Sequence, residues 1–347
     1  MPAEATDLGG FGRLSQFSEE TLMFYSLYVE LGQNMWFEES PKMDFEDSAW
    51  ERVLDMCNQY GINQIVLDLG EGVVYKSHPE LAKEGAWTHD RVRAELARCR
   101  ERGIELIPKL NFSATHHLWL GEYRRMMSTR IYYEVCRDLI EEVAELFDHP
   151  AYIHLGMDEE GDPQFFKDLD MVHYRQGELI WHDLRYLCDC VKRCGSRPWI
   201  WADMCMYEPE TFRKHLGYDD VVLSPWIYFA IRREHWTLIK SKQRYIDSNE
   251  GSMGIEYMEE APIWQTMTRE GVIAANDGYG TVPCCSAWGE CEYCSDDVVE
   301  HFVNNCRPEN LLGFMTAPWV RTTEADLAAI EASVKALAVA RDKFIKK

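Results

Sequence analysis

The segment 151–163, AYIHLGMDEEGDP, runs from an apolar, strand-like stretch through Gly156 into three consecutive carboxylates, Asp158, Glu159 and Glu160. Neighbouring side chains of a strand point to opposite faces, so Asp158 and Glu159 can face one site only where the strand gives way to a loop. Two carboxylates held close together resist simultaneous ionisation, and partial burial favours the protonated form of one. The pattern therefore predicts acid catalysis by Asp158 and Glu159, hereafter the acidic pair.

Two other interpretations of this acidic run stay open. A run of charges is often a solvated loop, and carboxylate oxygens can also hold a divalent metal ion. His154 lies in the apolar strand that leads directly into the run, which argues against a plain surface loop. A metal-dependent hydrolase would require histidine pairs on barrel strands, and the first predicted strand contains none. We therefore predict that the site uses no metal and no cofactor.

Alternating strands and helices must position these residues. Short β-branched or aromatic runs alternate with longer segments of helical period, which indicates eight βα units. The predicted strands are 23–31, 62–70, 103–112, 151–157, 197–204, 220–228, 281–289 and 311–319. The predicted helices are 46–60, 90–102, 129–147, 174–194, 208–216, 257–275, 295–305 and 323–343. In a chain of 347 residues this order predicts an α/β fold, a single-domain (β/α)8 TIM barrel over residues 21–347 with an N-terminal extension over residues 1–20.

Polar and aromatic residues follow the predicted strands where each strand ends. In a barrel the loops at these ends gather at one face and build the active site. The candidate substrate-binding residues are His116, His117, His154, Trp201, Asp203, Trp226, Tyr228, Trp288, Glu290 and Trp319. Flat aromatic faces suit the C–H faces of sugar rings or an acyl methyl group. Taken singly, a tryptophan here is equally well explained as a cap on the core, and Asp68 or Asp203 more simply as a helix N-cap or a solvated carboxylate.

The composition limits the partners of the protein. Its 59 acidic residues against 36 Lys and Arg give a formal net charge of -23, which repels phosphate backbones and anionic membrane surfaces. No window approaches the roughly 18 apolar residues of a spanning helix. We therefore expect neither a nucleic-acid nor a membrane partner. The first residues lack a basic segment followed by an apolar core, which predicts no secretory signal and a cytoplasmic protein.

The twelve cysteines predict reduced thiols rather than disulfides, because many lie in apolar helical contexts of a large chain, as Cys57 does. The group Cys284, Cys285, Cys291 and Cys294 contains one C-x-x-C pair. Without a second pair at zinc-site spacing, buried thiols are favoured over a zinc site.

The residues around the acidic pair resemble a known family. HLGMDEE is similar to the His-x-Gly-x-Asp-Glu signature at the end of the fourth barrel strand of glycoside hydrolase family 20, the β-N-acetylhexosaminidases. GIELIPKLNFSATHH, RPWIWADM, VVLSPWIY and LLGFMTAPW resemble the third, fifth, sixth and eighth strands of that family. The similarity extends over residues 60–320 and is strongest at the fourth strand.

The resemblance implies removal of terminal N-acetylhexosamine with retained configuration. The 2-acetamido oxygen of the substrate, rather than an enzyme carboxylate, then attacks the anomeric carbon. By motif position, Glu159 is the implied general acid and base, and Asp158 the residue that orients the acetamido N–H. His116 or His117 is implied to adjust Glu159. The residues implied to enclose the acetamido methyl group and the ring are Trp201, Trp226 and Trp319.

The end of the first strand departs from the family pattern. The family places an arginine there to bind sugar hydroxyls, whereas YVELGQNMWFEE offers Glu30, Gln33 and Asn34. This difference favours a second hypothesis, a carbohydrate-binding barrel without turnover, and a metal-dependent hydrolase is a third. The predicted partner is a carbohydrate, an N-acetylhexosaminide in the case of the enzyme. A homodimer is one assembly that the sequence leaves open.

Overall fold

The computed structural model describes residues 23–32, 40–160, 175–229, 231–232, 262–287 and 293–345. The strands are β1 (Phe24–Glu30), β2 (Gln64–Asp68), β3 (Glu105–Lys109), β4 (Tyr152–His154), β5 (Arg197–Trp201), β6 (Val222–Ser224), β7 (Gly280–Thr281), β8 (Cys284–Cys285) and β9 (Gly313–Thr316). The α-helices are α1 (Asp47–Tyr60), α2 (His89–Glu101), α3 (Arg130–Leu146), α4 (Glu178–Arg193), α5 (Asp203–Tyr207), α6 (Pro209–His215), α7 (Pro262–Asp277), α8 (Cys294–Asn305) and α9 (Leu327–Phe344). The predicted extension over residues 1–20 lies outside the described residues and stays a prediction.

All described strands are parallel and form one sheet in the order β7-β6-β5-β4-β3-β2-β1-β9-β8. The segment 280–285 bonds on both sides: Val282 N–H donates to the Leu223 carbonyl at 2.8 Å, and Met315 N–H to the Pro283 carbonyl at 2.9 Å. It therefore closes the sheet into the predicted (β/α)8 barrel.

One predicted strand differs from the structure. The sequence predicts a single seventh strand over 281–289, whereas the structure has two short strands, β7 and β8, on either side of Pro283. Proline lacks the backbone N–H that a continuous ladder uses, which accounts for the interruption. The two pieces together occupy the seventh position of the barrel.

Each predicted helix has a counterpart in the structure, and α5 is an additional helix that the pattern missed. The predicted glycine ends are confirmed: Gly61, which follows α1, has φ +69°, and Gly103, after α2, has φ +73°. Glycine tolerates this left-handed conformation without a steric cost, so the chain turns directly into the next strand. Among the described residues, no helix is long and apolar enough to cross a membrane.

The barrel interior contains a buried ion pair just below the carboxyl ends of the strands. The Lys109 ammonium donates a hydrogen bond to the Asp68 carboxylate, and both side chains are fully buried. The Tyr28 hydroxyl donates to the same carboxylate at 2.7 Å, and the Tyr28 ring lies 4.7 Å from that of Trp319. Asp68 is thus neither an N-cap nor a solvated carboxylate, and the ion pair holds an aromatic ring at the barrel mouth.

We expect Lys109→Met to lower the free energy of unfolding by about 3–5 kcal/mol, because it leaves the Asp68 carboxylate buried without its cation. Urea denaturation measures the change. The matched control is Lys343→Met, which removes an exposed ion pair with Asp296 (2.7 Å) and is expected to cost no more than about 1 kcal/mol. Equal, small losses in the two variants would show that the buried pair does not stabilise the barrel.

Candidate active site

A turn of unusual backbone conformation follows β4 and carries the acidic pair. Gly156, Met157 and Glu159 all have positive φ, of +73°, +69° and +54°. A Cβ at Gly156 would lie 1.9 Å from Oδ1 of Asn111, so only glycine fits there. Left-handed conformations of residues with side chains are costly and cluster at functional sites. The turn ends the strand alternation and lets both Asp158 and Glu159 approach one histidine.

That histidine is His116, in the loop after β3. Its Nε2 lies 2.9 Å from Oε2 of Glu159 and 3.3 Å from Oδ2 of Asp158. Burial favours the neutral ring, but the negative charges of Asp158 and Glu159 outweigh it and raise the pKa of His116. Asn111 adds a hydrogen bond from Nδ2 to Oδ1 of Asp158 at 3.0 Å. The acidic pair therefore meets a donor on each carboxylate.

His117, the alternative partner, lies apart from these contacts. Burial and the nearby Arg175 guanidinium lower the pKa of His117 to about 3, so its ring is neutral. Arg175 forms a buried ion pair with Glu160, which also accepts the Ala114 N–H at 2.6 Å. The third carboxylate of the run thus connects the β4 turn to the loop after β3, while the first two face His116.

His154, predicted to bind substrate, lies in the barrel interior rather than beside the acidic pair. Its side chain is fully buried, its Nδ1 accepts the Gly156 N–H at 3.0 Å, and its ring packs 4.9 Å from Trp201. Burial and the Lys109 charge hold the pKa of His154 well below its usual value. The neutral His154 ring therefore supports the turn after β4 from the barrel interior, through its hydrogen bond with Gly156.

Aromatic rings form a continuous wall next to the acidic pair. Trp319 lies 5.8 Å from Trp201 and 5.8 Å from Tyr228, which in turn lies 5.2 Å from Trp226. Burial, followed by the nearby Cys284 thiol and then the carboxyl groups of the site, raises the pKa of Tyr228 well above its usual value, so the phenol keeps its proton. The indole N–H groups of Trp201 and Trp319 are buried and meet no acceptor among the described residues. They are donors available to a ligand oxygen or to water.

Asp203 joins this wall to the acidic pair. Its carboxylate accepts the Glu159 N–H at 3.1 Å and the Trp226 indole N–H at 2.7 Å. Only 1% of the residue is exposed, and the N-cap of α5 is Ala202, so Asp203 is neither an N-cap nor a solvated carboxylate. Burial, then the negative charge of Asp158, raises the pKa of Asp203 to about 8.

The remaining predicted residues lie at the ends of the first and seventh predicted strands. Trp288 and Glu290 lie outside the described residues, as do Gln33 and Asn34. Glu30 is buried and faces Asp68 in the strand register, so a carboxylate does lie at the end of β1. Asn111, a polar residue at the end of the third predicted strand, received no role from the sequence, and its hydrogen bond to Asp158 places it in the site.

The described cysteines are free thiols, as expected. Cys291 lies outside the described residues, so the C-x-x-C pair is not tested. Within the described ranges, the group with ligand atoms close enough for a metal ion is His116, Asp158 and Glu159, whose ligand atoms lie within 4.8 Å of one another.

The barrel is similar to solved structures of hexosaminidases. A β-N-acetylhexosaminidase from Bacteroides fragilis matches with 14% identity and a TM-score of 0.59, over 90% of this chain and 65% of that one. A GH20 β-N-acetylhexosaminidase from Streptomyces coelicolor has 12% identity, a TM-score of 0.58, and coverage of 90% and 63%. A GH20 exo-β-N-acetylglucosaminidase from Vibrio harveyi has 14% identity, a TM-score of 0.54, and coverage of 91% and 54%.

At these identities the similarity establishes the fold, an α/β barrel like that of glycoside hydrolase family 20. The chain spans 54–65% of the length of these three structures. The sequence matches no protein-family model, and it matches no curated protein.

Proposed function

We propose that this protein is a retaining glycoside hydrolase that removes terminal N-acetylhexosamine by substrate assistance. The observation that carries the proposal is the acidic pair, held by His116 and Asp203 beside an aromatic wall at the carboxyl ends of the barrel strands. Structures of similar fold that are described as β-N-acetylhexosaminidases support the same substrate class.

In the first step the acetamido oxygen of the substrate attacks the anomeric carbon as the bond to the leaving oxygen breaks. Glu159 donates its proton to that oxygen, and Nε2 of His116, 2.9 Å from Oε2, then stabilises the resulting carboxylate as a hydrogen-bond donor. Asp158 accepts a hydrogen bond from the acetamido N–H and stabilises the positive charge of the oxazolinium ring. Asn111 and His116 orient Asp158 for this task before substrate binds.

In the second step water attacks the anomeric carbon and the oxazolinium ring opens to the acetamide. Glu159 takes a proton from this water and returns to its acid form. Two inversions at the same carbon retain the configuration. The wall of Trp201, Trp226 and Trp319 supplies apolar faces for the acetamido methyl group and the sugar ring.

A panel of nitrophenyl glycosides tests the reaction. We expect hydrolysis of the N-acetyl-β-glucosaminide or N-acetyl-β-galactosaminide, and a kcat/KM at least roughly 10³-fold lower for the glucoside and galactoside, which lack the intramolecular nucleophile. Absorbance of nitrophenolate measures the rate. Cleavage of plain glucosides alone would refute substrate assistance. Thermal stabilisation by N-acetylglucosamine without any turnover would favour a carbohydrate-binding barrel.

A metal-dependent hydrolase is a second candidate, because the ligand atoms of His116 and the acidic pair lie within 4.8 Å of one another. One nitrogen and two oxygen donors match the ligands that zinc accepts in catalytic sites. Dialysis against a chelator followed by zinc addition separates the two candidates. Activity lost on dialysis and restored by zinc supports the metal enzyme, and unchanged activity supports substrate assistance.

A further inference from the structure

We propose that Asp203 is a positioning residue that holds Glu159 and the wall residue Trp226 in one fixed arrangement. The inference rests on the proposed function, since it assigns Glu159 as the acid and base. It goes further by giving Asp203 a role that acts through two neighbours, whereas the sequence predicts direct contact with substrate.

The two oxygens of Asp203 accept hydrogen bonds from two different parts of the site. Oδ1 accepts the backbone N–H of Glu159 at 3.1 Å, and Oδ2 accepts the indole N–H of Trp226 at 2.7 Å. Glu159 belongs to the turn after β4, Trp226 follows β6, and Asp203 itself follows β5. One buried carboxylate therefore connects the ends of three neighbouring strands.

The peptide group between Asp158 and Glu159 is bonded at both of its polar atoms. The Asp158 carbonyl accepts hydrogen bonds from the hydroxyls of Ser113 and Thr115, the latter at 3.2 Å. On the other side the Glu159 N–H donates to Asp203. Glu159 is held at φ +54°, a conformation that a residue with a side chain adopts only when its surroundings impose it. Asp203 is the contact that fixes this peptide from the side of the aromatic wall.

Asp203 accepts two N–H donors, and this makes the role testable by an amide substitution. In Asp203→Asn one oxygen becomes an NH2 group, so one of the two donors must face another donor. We expect kcat to fall about 100-fold, because small displacements of a catalytic group cost about that much. The control Asp219→Asn changes an exposed carboxylate that precedes β6, at the opposite end of that strand from Trp226, and should leave kcat unchanged.

A second substitution separates positioning from a general loss of structure. Trp226→Phe keeps an aromatic ring in the wall and removes the indole N–H, so the asparagine of the double variant can turn its oxygen to Glu159. We therefore expect the double variant Asp203→Asn, Trp226→Phe to have a kcat about tenfold above that of Asp203→Asn alone. A double variant no more active than Asp203→Asn, or an Asp203→Asn variant with wild-type kcat, overturns the proposal.

Fluorescence tests the link between Asp203 and Trp226 without any turnover. Changing the carboxyl group that accepts its indole N–H should shift the emission of Trp226. The Trp226 contribution is the difference between a protein and its Trp226→Phe counterpart, taken for wild type and for Asp203→Asn. We expect the emission maximum of this contribution to differ between the two. If wild type hydrolyses no glycoside the proposed function fails, whereas the same Trp226 emission in wild type and Asp203→Asn contradicts the link itself.

Discussion

Replacing Glu159 by glutamine is expected to lower kcat on a methylumbelliferyl N-acetylglucosaminide by about 10³-fold, within the range of general acid–base catalysis. Glutamine has nearly the same shape and can still accept the hydrogen bond from His116, but it has no proton to give to the leaving oxygen. Affinity for N-acetylglucosamine, measured by calorimetry, should stay within about threefold because no binding group is lost.

The leaving group provides an internal control for this substitution. A dinitrophenyl glycoside needs little protonation to depart, so Glu159→Gln should slow its first step much less than that of the methylumbelliferyl glycoside. Glu145→Gln, at an exposed position of α3, is the matched surface variant and should behave as wild type. Equal losses on both leaving groups would show that Glu159 does not act as the acid.

The second large effect is expected for Asp158→Asn, with kcat about 10²–10³-fold lower, the loss seen when one preorganised electrostatic group is removed. Asn111 donates a hydrogen bond to Oδ1 of Asp158, and Nε2 of His116 lies 3.3 Å from Oδ2, so an amide must place its NH2 group against one of these two nitrogens. The new side chain also cannot stabilise the positive charge of the oxazolinium ring. Steady-state rates on an N-acetylglucosaminide measure the loss.

A stable thiazoline analogue of the oxazolinium ring tests this role of Asp158 directly. Its inhibition constant should rise in Asp158→Asn by a larger factor than the KM of the substrate, because the charge that Asp158 stabilises develops in the intermediate. An inhibition constant that rises no more than KM would show that Asp158 contributes only to ground-state binding.

These expectations depend on charged side chains that lie close together in a partly buried site at the carboxyl ends of the strands. Asp203 and the acidic pair place three carboxyl groups there, and burial, followed by the negative charge of Asp158, raises the pKa of Asp203 to about 8. His116 gains a proton more readily than an ordinary histidine for the opposite reason, since two carboxylates face it. Proton positions at this site thus follow from burial and close pairing together.

Much of the barrel follows from local pattern. Short β-branched or aromatic runs locate the strands, and segments of helical period that end at a glycine locate the helices. Both signals arise within a few residues, from side-chain periodicity and from the backbone freedom of glycine. The gap at Pro283 could have been anticipated from the missing N–H of proline. The short α5 could not, because one turn and a half of helix leaves too little periodicity to recognise.

The sequence by itself determined the order of the strands and the placing of Asp158 and Glu159 at the end of the fourth. Only the tertiary structure decided that His116 rather than His117 meets them, that Glu160 turns away to Arg175, and that Asp203 is buried between Glu159 and Trp226. Most of these contacts join residues more than 20 positions apart along the chain, so they depend on which side chains the closed barrel buries together. The periodicity of apolar residues indicates which face of a helix or strand is buried. The hydrogen-bond partners of residues on different elements are decided by packing and by the cost of leaving a buried polar group unsatisfied.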